Sequence, residues 1–210
     1  MKYQVEYPAA SSGFVLKLRC PHCGHNGTFE VVGVNDLRLQ DTGNILGQRK
    51  CPNTSCNGHV FFVHEQVSNN NFTYPPEGVE LNRNNVPGGI LSAFEEAISC
   101  YSNQCYVAAA IMIRKTLEEI AVEKKADGKN LFQKLSDLST KIFVPKELTE
   151  AMHELRLLGN DAAHIEAEAY NQVGKEEVEI SIEFTKEIIK AVYQYESLLG
   201  KLRSLKKPVA

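Results

Sequence analysis

The spacing of apolar positions changes character once along this chain, near Gly89. Before that point, residues 14–19 and 28–34 are short apolar or alternating runs rich in Val, Phe and Thr, and 59–67 (His59-Val60-Phe61-Phe62-Val63-His64-Glu65-Gln66-Val67) is a third. Runs of this length and composition predict the strands of a small sheet. Beyond it the period is that of helices. Ile90, Leu91, Phe94, Ala97 and Ile98 form one stripe, and Tyr106, Ala109, Ala110, Ile113, Leu117, Ile120 and Ala121 a longer one, with Asn103 as a cap between them. Leu131, Leu135 and Leu138 predict a short third helix. Pro145 opens a fourth through Leu148, Met152, Leu155 and Leu158, and a fifth, long helix is expected from near Gly174 to near Ser204. Between the two patterns, residues 68–88 are punctuated by Asn69-Asn70-Asn71, Tyr74-Pro75-Pro76 and Val86-Pro87-Gly88, with little to build a core. The pattern predicts an α+β chain: a small β domain over 1–67, a linker over 68–88 and an antiparallel four- or five-helix bundle over 89–210.

A chain of 210 residues has room for one good hydrophobic core and a smaller module that needs a staple. No apolar run approaches the roughly 18 residues of a membrane span, so no membrane partner is expected. The start, Met1-Lys2-Tyr3-Gln4-Val5-Glu6, lacks the basic and then apolar order of a secretory leader. The six cysteines are therefore read in a reducing, cytoplasmic setting, where metal ligation is favoured over disulfides. A net charge of −3 removes the global basic field that draws proteins onto nucleic acid. The densest basic stretch, Lys201-Leu202-Arg203-Ser204-Leu205-Lys206-Lys207, reads as a complement to the negative end of a helix dipole or as a solvated tail.

Cys20-Pro21-His22-Cys23-Gly24 has the form of a zinc knuckle, in which a tight turn brings two thiolates together and glycine tolerates the turn's dihedrals. Its expected partner is Cys51-Pro52-Asn53-Thr54-Ser55-Cys56, a looser knuckle 27 residues further on, which leaves room for a hairpin or three-stranded ribbon. Unliganded thiols, a redox pair, or a site in which His22, His25 or His59 replaces a cysteine are the alternatives. A redox C-x-x-C opens a helix after a strand, and this context offers none. Four thiolates leave no open position for water, so the zinc expected on Cys20, Cys23, Cys51 and Cys56 is structural. Cys100 and Cys105 read as small buried hydrophobes.

The fourth helix carries the second candidate site. Arg156, Asn160 and His164 are spaced four apart and share one face if the helix continues through Gly159, with Gly159 and Ala162-Ala163 permitting close approach by another backbone. The alternative is that Gly159 ends one helix, Asn160 or Asp161 caps the next, and His164 satisfies a local bond. Arg114 and Glu118, also four apart, read as a structural ion pair.

Taken in order, Cys20-Pro21-His22-Cys23, Cys51-Pro52, Tyr74-Pro75-Pro76, Pro87, Ala108-Ala109, Arg114-Lys115-Thr116-Leu117-Glu118 and Leu155-Arg156-Leu157-Leu158-Gly159-Asn160-Asp161-Ala162-Ala163-His164 resemble bacterial proteins of the domain of unknown function 4145, from about Cys20 to Leu199. That family is grouped with the HEPN superfamily of helical domains, many of them metal-independent ribonucleases of defence systems. The resemblance implies a HEPN-like bundle and a homodimer. It also implies roles: His164 for proton transfer, Arg156 for phosphate charge and Asn160 for orientation, with attack by a ribose 2′-hydroxyl leaving 2′,3′-cyclic phosphate ends. Seven residues separate Arg156 from His164, more than in the active superfamily pattern, and Leu157 stands where a polar residue is usual. The expectation is therefore a noncatalytic interaction or RNA-binding module in a bacterial defence or stress system, with an RNA or protein partner. The ribonuclease is the alternative.

Overall fold

In β7 (His59–His64) every second side chain, Val60, Phe62 and His64, is buried. That alternation marks a sheet with one face on a core and the other toward solvent. The computed structural model describes residues 5–6, 14–33, 36–142, 144–164 and 173–205. They belong to two compact units, 1–80 and 81–210.

The N-terminal unit contains β1 (Val5–Glu6), β2 (Lys17–Arg19), β3 (Asn26–Thr28), β4 (Glu30–Val31), β5 (Leu37–Leu39), β6 (Ile45–Lys50), β7 and β8 (Asn71–Tyr74). The larger sheet runs β1-β5-β6-β7-β8, with β4 on the same edge of β6 as β5, and β2-β3 is a separate hairpin. All pairs are antiparallel, with Gly47 opposite Phe62 and Phe62 opposite Thr73 fixing the register of β6, β7 and β8. Leu16, Leu18, Phe29, Ile45, Val60 and Phe62 pack around Cys20 and Cys51. Into this core the sheet also brings Arg49, 1% exposed, whose guanidinium donates to both carboxylate oxygens of Asp36 at 2.7 and 2.8 Å and lies over the Phe62 ring. The pattern of apolar runs does not reveal this pair, because Gly47-Gln48-Arg49-Lys50 reads as polar although it occupies the central strand.

The segment expected to be linker needs correction. Residues 71–74 form β8 and pair with β7, and the two units divide at Glu80 and Leu81. A polar, Asn-rich strand can hold its place through main-chain hydrogen bonds on a sheet edge without contributing apolar side chains, which is why composition missed it. Val34, the last residue of one predicted strand, lies outside the described residues, as do Lys206 and Lys207 of the basic stretch.

The helical unit comprises α1 (Gly88–Ser102), α2 (Tyr106–Glu123), α3 (Leu131–Lys141), α4 (Lys146–Ala163), α5 (Lys175–Tyr193) and α6 (Tyr195–Ser204). Helix α2 packs against α1, α3, α4 and α5, and of its predicted stripe Ala109, Ala110, Ile113, Leu117, Ile120 and Ala121 are buried while Tyr106 is half-buried. Asn103 caps the end of α1, donating from its side chain to the Ser99 carbonyl at 2.8 Å, and Asn130 caps the start of α3 by accepting from the Gln133 N–H. The long fifth helix predicted to Ser204 is two helices. It breaks at Gln194, a buried residue whose side-chain amide donates to the Asn82 carbonyl at 2.8 Å and accepts from the Asn82 side chain. Cys105 is also corrected: it is exposed, directly precedes α2 and points its thiol at the Asn103 carbonyl, while Cys100 is half-buried. No helix of the described residues is long and apolar enough to cross a membrane.

Candidate functional site

Two turns converge at one end of the β core. In the first, between β2 and β3, the Cys20 N–H donates to the His25 carbonyl at 2.8 Å and the Gly24 N–H to the Cys20 carbonyl at 2.9 Å. Gly24 sits at φ +74°, a left-handed conformation that most side chains resist. In the second, between β6 and β7, the Cys51 N–H donates to the Gly58 carbonyl at 2.8 Å and the Cys56 N–H to the Asn53 carbonyl at 2.9 Å. Asn53 also accepts from the Ser55 N–H through its side chain, and Asn57 takes the left-handed position at φ +49°. Each turn thus places its left-handed residue directly after its second cysteine. The two extra residues of the looser turn are absorbed by the Asn53 side chain.

The sulfurs of Cys20, Cys23, Cys51 and Cys56 all lie within 4.8 Å of one another. Cys20 and Cys56 are 3.8 Å apart, as are Cys23 and Cys51. That is too long for a disulfide, whose sulfurs bond at about 2.05 Å. It matches the edge of a tetrahedral thiolate site, since metal–sulfur bonds of about 2.3 Å put the sulfurs about 3.8 Å apart. The Gly58 N–H and the Asn53 side-chain amide approach Cys56 and Cys23 from outside, as donors that stabilise thiolates. The Cys23 thiol is held down to about 7 by a backbone hydrogen bond from His25, while burial pushes Cys51 up to about 12. A cation at the centre would favour the thiolate at all four. None of the three histidines that could have replaced a cysteine joins the cluster: His22 Nε2 meets the His59 carbonyl at 3.0 Å, His59 Nδ1 meets the Gln48 amide at 2.7 Å, and His25 is exposed. Cys23 leads into β3 and not into a helix, which removes the structural context of a redox pair.

On α4 the helix continues through Gly159 to Ala163. A side chain on Gly159 would run into Arg114 and the Ala110 carbonyl, so α2 and α4 meet here at backbone distance. Arg114 spans the contact, donating to the Arg156 carbonyl at 3.2 Å and pairing with Glu118 at 3.3 Å. The three predicted residues separate at this point. Arg156 is half-buried, with its guanidinium over the Phe132 ring at 5.5 Å and its Nε enclosed without a hydrogen-bond partner. Asn160 follows one turn later, half-buried. His164 leaves the helix in an extended conformation, φ −132° and ψ 123°, as its exposed C-terminal cap. No side-chain hydrogen bond joins the three among the described residues. The structure instead groups Arg156 with His153, whose ring lies against the same Phe132 ring at 4.7 Å and a tilt of 39°. Burial, then the charge of Arg156, lowers the His153 pKa, and its Nδ1 has no hydrogen-bond partner. The sequence signal for His153 was its spacing three residues before Arg156 on an amphipathic helix.

A small β unit with four convergent thiols, followed by a helical unit built around α2, is the class of protein that fold and site define. Within it, this chain belongs to the family described as Domain of unknown function (DUF4145), whose model matches residues 95–207. The match covers the helical unit from within α1 onward, and the thiol cluster lies outside it. No curated protein and no solved structure matches the chain.

Proposed function

We propose that the chain is a noncatalytic association module: a zinc ribbon whose one metal ion is structural, joined to a HEPN-like helical domain that forms a homodimer and docks a protein or RNA partner in a bacterial defence or stress system. The tetrahedral spacing of four sulfurs supports zinc, and a full thiolate shell keeps substrate and water off the metal. The observation that carries the noncatalytic reading is the disposition of Arg156 and His164. Arg156 is laid against Phe132 with its Nε enclosed, and His164 stands outside the helix as an exposed cap, so among the described residues of one chain these two do not form an acid–base pair over a phosphate site.

One observation favours a second reading, a metal-independent ribonuclease. The unbroken α4 keeps Arg156 and Asn160 one turn apart and delivers His164 directly after them, and two chains meeting along that face would bring two sets together. The test is cleavage of mixed RNA by the metal-loaded protein with EDTA present, beside folded Arg156→Ala and His164→Ala variants. No cleavage by any of the three is the expected result. Cleavage that leaves 2′,3′-cyclic phosphate ends and disappears in both variants would replace the module reading with the nuclease.

A further inference from the structure

The last helix of the described residues leaves its apolar side uncovered. At 3.6 residues per turn, Tyr195, Leu198, Leu199, Leu202 and Leu205 fall on one side of α6 and the segment just after it. Leu202 is 64% exposed and Leu205 79%, far beyond what a core-facing stripe shows. The same geometry sets Lys201 on one flank of the stripe and Arg203 on the other, both exposed. Single exposed leucines are ordinary on a protein surface, but a contiguous stripe with basic borders marks a face that something covers.

The unit also carries a groove of opposite charge. Between α4 and the first half of α5, a cleft of about 440 Å³ has Leu155, Leu158, Ile180 and Phe184 on its floor. Its rim is Glu147, Glu150, Glu154 and Glu177. Lys146 pairs with Glu150 at 3.1 Å in an exposed contact, and among the described residues no Lys or Arg lines the groove itself. An apolar floor with an acidic rim is the complement of a leucine stripe with basic flanks.

We propose that α6 of a second copy of this chain seats in the α4–α5 groove, its leucines on the floor and Lys201 and Arg203 against the glutamate rim. The occupant is not the chain's own α6. The Gln194 N–H donates to the Lys190 carbonyl as the cap of α5 and the Leu198 N–H to the Gln194 carbonyl as the first turn of α6, each at 2.9 Å, so α5 ends and α6 begins at the same residue. Among the described residues α6 packs against α5 and not against α4, and its leucines stay exposed, whereas the groove lies between α4 and the N-terminal half of α5, Glu177 to Phe184. Reciprocal seating, each α6 in the other's groove, closes a two-fold dimer and leaves no unpaired stripe. The inference rests on reading the helical unit as an association module and names the surfaces by which it associates.

The test is sedimentation of the full chain over a range of concentrations. The expected wild-type result is a dimer, with Leu198→Glu/Leu202→Glu monomeric at unchanged helical circular dichroism. Glu147→Lys/Glu150→Lys and Lys201→Glu/Arg203→Glu are each expected to weaken the dimer about tenfold or more, and a protein carrying all four reversals to recover it. A wild type that is monomeric throughout, or reversals that do not rescue each other, would overturn the proposal. A dimer that survives the leucine substitutions would overturn it too, while leaving the association-module reading standing on another surface. Conversely, RNA cleavage in the assay above would remove that reading without altering the sedimentation result.

Discussion

Among the described residues the N-terminal unit has a core cluster of eight, two of them cysteines, with a buried Arg–Asp pair in the same unit. The helical unit buries longer stripes on five helices, and its buried hydroxyls, Thr116, Ser181 and Thr185, are satisfied by carbonyls one turn back in their own helices. The Arg–Asp pair and these hydroxyls meet the requirement that buried polar groups be paired, which Arg49 Nε, His153 Nδ1 and Arg156 Nε do not, but only the helical unit has apolar area to spare. A small sheet depends on a few strong, specific interactions, and losing one of them should remove the unit. A helical core spreads its stability over many weak contacts, and losing one should only weaken it.

The sharpest way to break this comparison is metal removal. Stripping the zinc proposed at the four sulfurs with a strong chelator, or Cys51→Ser, should unfold the β unit and leave the helical signal in place, because apparent binding energies of about 10–16 kcal/mol for such sites are folding energy. Loss of only the sheet dispersion in NMR spectra of the full chain checks it, and an apo protein with an intact sheet would mean that the thiols are not the staple. Next comes Asp36→Ala, which leaves the Arg49 guanidinium buried without its carboxylate and should destabilise the β unit by about 3–5 kcal/mol. Chemical denaturation read by a sheet-specific probe would register it, with the helical transition unmoved.

On the helical side, Gly159→Val should force α2 and α4 apart against Arg114 and Ala110 at a cost of about 1–3 kcal/mol, lowering the helical transition without abolishing it. The smallest effect is a pH dependence. Burial and Arg156 place the folded pKa of His153 below its ordinary 6.5, so the unfolded chain takes up the proton first. The stability this residue contributes is complete above pH 6.5 and is lost as pH falls through the window beneath it, down to the folded pKa. Helical-unit stability should therefore rise with pH toward 6.5 in the wild type, with a smaller slope in His153→Gln. Equal slopes in the two proteins would show that the ring is not held neutral.

The helices were legible because their signal is periodic and local. The stripe from Ala109 to Ala121 and the cap at Asn103 need only 3.6-residue spacing and a side chain that meets its own backbone, and both stand in the structure as the sequence predicts. The four cysteines were legible for a related reason: each knuckle is a turn a few residues long, and the chemistry of thiols limits what such turns are for. Strands β5, β6 and β8 were not, because a strand's partners are remote in sequence and its polar residues look like loop until the neighbouring strand supplies the hydrogen bonds.

What the sequence determined by itself is the α+β order, the helical stripes and which four cysteines come together, while it left open whether α4 continues through Gly159. Tertiary structure alone decided the rest. It buried Arg49 by bringing Asp36 to it, broke the last helix where Gln194 reaches Asn82, and set Arg156 against Phe132 and His153 while His164 was left at the helix end. Those outcomes depend on which side chains meet across elements far apart in the chain, and no local period or spacing encodes such meetings.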